Sequence, residues 1–200
     1  MNIAVTQLEH FRKDRNQMLD CLDQKLMLFL QNLTSSIYPI PNSFIEEVPL
    51  KRWMENAEIG AIILSGGGNV GDSAARDYIE GFVINYAIEQ KIPLIGICRG
   101  MQAIILHFGG SLVAKTGHVK TRHNMLFKNQ QIEVNSFHDF CVDDHTIDFN
   151  VLAHAEDGTI ESVSHKEHQI LGIMWHPERD EPFQAHDLNL FDSFIRGNKL

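Results

Sequence analysis

Strand-sized apolar runs alternate with stretches whose apolar positions recur at helical spacing along the first half of the chain. Residues 2–8 predict a first strand. Met18, Leu22, Leu26, Phe29, Leu30 and Leu33 recur at helical intervals and predict an amphipathic helix packed on a sheet. Tyr38-Pro39-Ile40-Pro41-Asn42 reads as a loop, because its prolines forbid a helix. Residues 59–64 form a buried strand that runs directly into Ser65-Gly66-Gly67-Gly68-Asn69. Residues 73–90 predict a helix with Tyr78, Ile79, Phe82, Val83, Tyr86 and Ala87 on one side. Residues 93–97 are a short buried strand, followed by an apolar helix carrying Met101, Ala103, Ile104, Ile105 and Phe108. Such alternation predicts an α/β fold, with a mostly parallel central sheet flanked by helices and right-handed crossovers.

After Gly109-Gly110 the pattern changes. Short strand-like runs at 111–114, 131–135, 150–155, 160–165 and 170–175 are separated by polar turns such as Asp157-Gly158. The second half is therefore richer in β-structure, some of it antiparallel, and residues 183–195 close the chain with a helix. No linker interrupts the pattern, and the length of 200 residues suits a single domain over 1–200.

Composition narrows the partners. A net charge of −9 argues against general nucleic-acid binding and against an anionic membrane surface. The longest apolar runs are strand-sized, so no membrane span is expected. Cys21, Cys98 and Cys141 are too few and too scattered for a disulfide framework. With no secretory apolar region at the start, they predict a reducing, cytoplasmic setting.

Candidate chemistry centres on Gly96-Ile97-Cys98-Arg99-Gly100, between the strand at 93–97 and the helix after it. Glycines flanking a nucleophile on a sharp strand-to-helix turn are the thiol counterpart of the G-x-S-x-G elbow. The helix N-terminus favours a thiolate there. A thiolate needs a base, and the base needs an orienting group. Of eleven histidines, His176 alone follows a buried strand and precedes a carboxylate two residues on, in Trp175-His176-Pro177-Glu178. In extended chain, stiffened by Pro177, residues 176 and 178 share a side, so Glu178 can orient the His176 ring. Backbone N–H groups of Gly67 and Arg99 are the candidate oxyanion donors. Taken singly, each feature is ordinary: a buried Cys, a glycine turn, a surface His-x-Glu. Together, in an α/β alternation with this strand placement, they are hard to explain structurally and point to a catalytic thiol.

Leu64-Ser65-Gly66-Gly67-Gly68, residues 96–102 (GICRGMQ) and Trp175-His176-Pro177-Glu178 resemble the class I glutamine amidotransferase superfamily. The Arg in GICRGMQ and the Arg76-Asp77-x-x-Glu80 helix start are similar to its γ-glutamyl hydrolase branch. The resemblance covers the chain from about residue 59 onward; the first sixty residues match least. It implies a three-layer fold and a Cys98, His176, Glu178 triad acting through a γ-glutamyl thioester, with no metal or organic cofactor. It also implies that Gln102 and the Asn135-Ser136-Phe137-His138 segment hold the glutamyl α-amino and α-carboxylate groups. The bland readings are a polar helix residue and a strand end.

The expected partner is a small-molecule γ-glutamyl substrate. Residues 115–123 hold Lys115, Lys120, Arg122, His118 and His123 within an acidic protein. Bordering the pocket, this segment and Arg99 would suit an anionic, nucleotide-linked leaving group; otherwise it is a solvated basic loop. Size, the GICRGMQ form and this segment resemble a specialised type in that branch, acting on a nucleotide-linked γ-glutamyl amidate in capsule synthesis. His118 with His123, and His165 with His168, lack a third ligand at zinc-like spacing, so no metal site is expected. The alternatives are a glutaminase subunit supplying ammonia to a separate synthase, and a non-enzymatic module that kept the fold.

Overall fold

The computed structural model describes residues 1–34, 36–44, 46–127, 130–143 and 147–198. In chain order the first half contains β1 (Asn2–Thr6), β2 (Leu8–Arg12), β3 (Gln17–Cys21), α1 (Gln24–Leu30), β4 (Ile37–Ile40), α2 (Glu47–Asn56), β5 (Ile59–Leu64), α3 (Ala74–Gln90), β6 (Leu94–Ile97) and α4 (Arg99–His107). The second half contains β7 (Leu112–Ala114), β8 (Val119–Phe127), β9 (Gln130–Phe137), β10 (Phe140–Val142), β11 (Phe149–Ala155), β12 (Ile160–His165), β13 (Ile170–Ile173) and α5 (Ala185–Ile195).

One mixed sheet runs in the order β4-β1-β5-β6-β13-β12-β11-β8-β9. From β4 to β13 every neighbouring pair is parallel, as the strand–helix alternation predicts. From β13 to β9 every pair is antiparallel, as the β-rich second half predicts. β10 bridges β12 to β7, and β2 with β3 forms a separate ribbon.

Alternation along the strands sends side chains to two cores. Ala4, Ile62 and Leu64 face α2, α3 and α4, packing with Leu50, Ile79, Val83 and Ile104. Ile3, Val5, Ala61, Ile63, Ile95 and Ile97 face α1 and α5, packing with Phe29, Leu30, Phe191 and Phe194. Phe29 meets Phe191 and Phe183 edge-on, with ring centroids 5.0 and 5.4 Å apart. Gly96 is required for α4 to lie on β6, since a Cβ there would sit 2.5 Å from the Gly100 carbonyl carbon and from Ile104 Cδ1.

The structure corrects four local expectations. The helix expected over 18–33 is only α1; Met18 belongs to the β2–β3 ribbon, where it pairs with Phe11. Asp23 starts α1 by accepting the Lys25 N–H, so the helical spacing holds only beyond it. The proline-containing stretch at 38–42 begins as β4, because β4 is an edge strand and Pro39 leaves no interior ladder bond unmade. The basic segment at 115–123 is half strand: β8 begins at Val119, and its exposed polar start hid the alternation. Helix α2, with Pro49 in its first turn, has no counterpart in the sequence expectations.

No helix among the described residues is long and apolar enough to cross a membrane.

Candidate active site

Three adjacent parallel strands end at one place. β5 pairs with β6 through Leu64 and Gly96, and β6 pairs with β13 through Ile97 and Ile173. The residues just past these strands are Ser65-Gly66-Gly67-Gly68, Cys98 and, after Met174 and Trp175, His176. The carboxyl ends of parallel strands are where α/β sheets place ligands. Sheet register alone therefore brings the glycine loop, the thiol and the imidazole together.

Cys98 sits between β6 and α4 with φ 51° and ψ −104°, a conformation L-residues rarely adopt. Its N–H donates to the Ile173 carbonyl at 2.7 Å, and its carbonyl accepts the Gln102 N–H at 3.1 Å, so both neighbours hold the turn. Strain of this kind costs on the order of 1–3 kcal/mol and persists where surrounding structure enforces it. Gly100 allows the turn to press against the Leu64 backbone, which a Cβ would strike.

His176 is buried, with Nδ1 2.6 Å from Glu178 Oε1 and the Cys98 thiol against the ring. Burial pushes its imidazolium down, but the contacts with Cys98 and Glu178 outweigh this and lift its pKa to about 9. Glu178 does not reach His176 along an extended chain, as expected from the sequence. His176 is extended (φ −114°, ψ 90°), and Pro177–Arg179 then form a single 3₁₀ turn that folds the carboxylate back. Trp175 fixes the approach by donating its indole N–H to Asp187 Oδ1 at 2.9 Å. Burial raises the Asp187 carboxyl to about 6.

Gly66 passes so close to His176 that a Cβ would lie 2.5 Å from the ring's Cε1. Gly67 and Gly68 have φ of 89° and 71°, which glycine adopts freely. Arg76 shapes this loop. Its guanidinium donates to the carbonyls of Ser65 at 2.6 Å, Gly66 at 3.2 Å and Gly67 at 2.6 Å. In a trans peptide the N–H lies opposite the carbonyl, so drawing the Gly66 carbonyl toward Arg76 turns the Gly67 N–H away from it. Arg99 lies in the first turn of α4, where N–H groups lack intrahelical acceptors.

The side chain of Arg99 is tied into a buried ion-pair cluster, and the residue also lines the cavity beside Gly67 and Gly68. It is buried, pairing with Glu80 and, at 2.6 Å, with Asp77. Glu80 also accepts from Arg76 at 2.8 Å, and Thr6 links the cluster to the loop by accepting the Ser65 N–H. Arg76-Asp77-x-x-Glu80 spacing on one helix face was visible in the sequence; its service to the glycine loop was not.

The other expected substrate residues are held by protein partners. Asn135 grips the His176 backbone twice: Nδ2 donates to its carbonyl at 2.8 Å and Oδ1 accepts its N–H at 2.9 Å. Ser136 donates to the His118 carbonyl at 2.7 Å. Phe137 meets the His176 ring edge-on at 5.8 Å, and the Arg179 guanidinium lies over the Phe137 face, 4.2 Å from its centroid. His138 points into a different cluster, near Glu161. Gln102 donates to the Phe140 carbonyl at 3.0 Å. Asp180, unremarked in the sequence, accepts from Asn135 at 3.2 Å and from Arg122 at 2.8 Å. Two cations of the basic segment are thus paired: Arg122 also with Glu133, and Lys115 with Asp157 at 2.8 Å.

All three cysteines are free, and burial with the Glu161 charge pushes the Cys141 thiol up to about 12. Two small cavities flank the glycine loop. One of about 60 Å³ touches Gly66, Gly67, His176, Glu178 and Leu8. Another of about 270 Å³ lies against Gly67, Gly68, Ser73, Phe11 and Met18.

Residues 18–196 match the model of the family described as glutamine amidotransferase class-I. The chain belongs to this family. Over 159 residues it is 36% identical to the gamma-glutamyl-CDP-amidate hydrolase of Campylobacter jejuni, covering 76% of this chain and 77% of that one. Over 148 residues it is 33% identical to a subunit of the glutamine-hydrolyzing GMP synthase of Methanocaldococcus jannaschii, covering 70% and 73%. The crystal structure of a putative GMP synthase subunit from Thermoplasma acidophilum shares the fold. Its TM-score is 0.72 at 21% identity, over 98% of this chain and 93% of that one. Membership of the family makes this chain a glutamine amidotransferase-type hydrolase, and the β2–β3 ribbon lies largely outside the matched region.

Proposed function

We propose that the chain hydrolyses a γ-glutamyl amide through a thioester on Cys98. Cys98 Sγ attacks the γ-carbonyl carbon, and the N–H groups of Gly67 and Arg99 receive the developing oxyanion. As the C–N bond breaks, His176 gives its proton to the departing nitrogen. Water, deprotonated by His176, then attacks the thioester, releasing glutamate and returning the thiol. Glu178 orients the ring and stabilises the imidazolium. The observation that carries this reading is the convergence of a strained thiol, a buried His–Glu pair at 2.6 Å and an arginine-braced glycine loop at three strand ends. The Asn135 and Ser136 side chains are already engaged and Gln102 uses only Nε2, so the glutamyl moiety falls to Gln102 Oε1, to backbone groups of the 135–138 segment and to Phe137.

For the leaving group we favour a nucleotide-linked amidate, on the strength of the similarity to the Campylobacter hydrolase. The cavity beside Gly67, walled by Phe11 and Met18 of the ribbon, is the space assigned to it. Incubation of the purified chain with a γ-glutamyl panel that includes γ-glutamyl-CDP-amidate tests both levels. Glutamate release from the nucleotide compound, lost in Cys98→Ala, is expected; release from none of the panel sinks the reading.

A second reading is a glutaminase subunit that hands ammonia to a synthase. It is favoured by the likeness to the Methanocaldococcus GMP synthase subunit and by Phe11 and Met18, which are 47% and 54% exposed beside the loop. It predicts negligible turnover of any amide until a synthase is added.

A further inference from the structure

Glu161 on β12 is wholly buried, and neither of its carboxylate oxygens has a hydrogen-bond partner. Three imidazoles surround one of those oxygens. His118 Nδ1 lies 3.7 Å from Oε1, His123 Nε2 3.3 Å and His138 Nε2 3.6 Å. The Nε2 atoms of His123 and His138 are buried without partners as well. A carboxylate ringed by donors normally draws them to about 2.7–2.9 Å. A tetrahedral zinc with ligand bonds of about 2.0–2.1 Å instead sets its ligand atoms roughly 3.3–3.4 Å apart. The imidazole-to-carboxylate distances here, 3.3–3.7 Å, are nearer to that spacing than to direct hydrogen bonds.

The outward-facing nitrogens agree. His118 Nε2 contacts Asp157 Oδ2 at 3.0 Å, and Asp157 is itself paired with Lys115. His138 Nδ1 contacts the Phe140 carbonyl at 3.2 Å. At His138 the outer contact takes the ring proton, which leaves Nε2 with its lone pair toward Glu161; His118 Nδ1 also lies 3.4 Å from Ser136 Oγ. This carboxylate–histidine arrangement is how proteins orient metal-binding imidazoles. Sequence spacing gave no third ligand because the set is assembled from β8 and its approach, the β9–β10 turn and β12.

We propose that His118, His138 and Glu161, whose ligand atoms all lie within 4.8 Å of one another, form a zinc site, with His123 beside it. Two imidazoles and one carboxylate suit a first-row divalent ion of borderline softness and not calcium or magnesium, which take mostly oxygen ligands. The ion would pin the β8–β9 pair to β12. Because β9 also carries Asn135, which grips the His176 backbone, the site would brace the candidate active site from outside it. The inference rests on the cluster alone and is independent of the reaction assigned to Cys98.

Cys98 with His176 is a competing metal trap, so the experiment uses both wild type and Cys98→Ala. Each, stripped by chelator and titrated with Co²⁺, is expected to take up one equivalent with the visible d–d bands of a tetrahedral centre, displaced by Zn²⁺. Glu161→Gln is expected to lose these bands. Asp157→Asn, at a half-exposed position, is expected to weaken affinity by about 10–100-fold. Should Glu161→Gln not fold, histidine-ring NMR of Cys98→Ala replaces it, with Zn²⁺ shifting His118, His123 and His138 and leaving His176 in place. No uptake by wild type, bands that persist in Glu161→Gln, or bands that vanish in Cys98→Ala would each overturn the proposal. So would Zn²⁺ shifts confined to His176.

Discussion

Glu80, on α3 beside the parallel strands, and Glu161, on antiparallel β12, are buried to 1% and 0% exposure. Glu80 is saturated. Arg76 and Arg99 both pair with it, and Thr6 donates to it at 3.3 Å. Glu161 faces three imidazoles at longer range, with both oxygens unbonded. A buried carboxylate needs a cation, and the two sides supply it differently. On the parallel side the cations are arginines, always charged, and they also shape the glycine loop beside Cys98. On the antiparallel side the neighbours are neutral-capable histidines, which leaves room for an ion from solution.

The contrast puts the chemistry at the ends of the parallel strands, so the largest effect should come from there. Cys98→Ala should lower glutamate release by on the order of 10⁴-fold or more, as removal of a nucleophile does in other hydrolases. Circular dichroism should show the fold intact. Activity surviving at a tenth of wild type would remove Cys98 from the reaction.

Next in size is the difference between the two carboxylates. Glu80→Gln leaves Arg76 and Arg99 buried with too little negative charge and should cost about 3–5 kcal/mol in urea unfolding. Glu161→Gln in metal-free protein at pH 8 removes a carboxylate with no fixed cation beside it and should cost distinctly less. Equal losses would erase the distinction between the two sides.

A third test crosses between them. Asn135 sits on antiparallel β9 yet makes two hydrogen bonds to the His176 backbone. Asn135→Ala leaves that N–H and carbonyl unpaired and should cost about 1–3 kcal/mol. It should lower kcat more than it raises KM, since the displaced group is His176. A change in KM alone would make Asn135 a substrate contact.

Much of this was legible in the sequence where local rules decide. The strands at 59–64 and 160–165, the helix after Ser73 and the elbow at Cys98 follow from periodicity and paired glycines. His176 and Glu178 were legible as a pair, although the 3₁₀ turn that joins them was not. What stayed hidden depends on register between distant segments. Met18 fits a helical pattern and pairs in a ribbon instead, because partner β2 is invisible to periodicity. Arg99 was legible as a charge beside the nucleophile, but its pairing with Glu80, nineteen residues away in sequence, was not. His118, His138 and Glu161 converge only after β8, β9 and β12 are placed in the sheet.

The smallest effect is one of pH, and it tests whether His176 is tuned by its two neighbours. Contacts with Cys98 and Glu178 raise the His176 pKa above its ordinary 6.5 to about 9 against the cost of burial. A raised pKa means that the folded state binds this proton more tightly than the unfolded chain does. The resulting stabilisation is complete below about pH 6.5 and is lost as pH rises through about 9. In the proposed reaction, the proton that His176 would give to the departing nitrogen follows the same course. kcat should therefore hold from neutral pH to about pH 9 and fall beyond it. Glu178→Gln removes one of the two contacts that raise the pKa and should move this alkaline limb downward, whereas Glu80→Gln, which does not touch the ring, should leave it in place. A limb that both variants shift equally would mean that it reports unfolding and not the imidazolium. A limb that neither shifts would separate Glu178 from the tuning of His176.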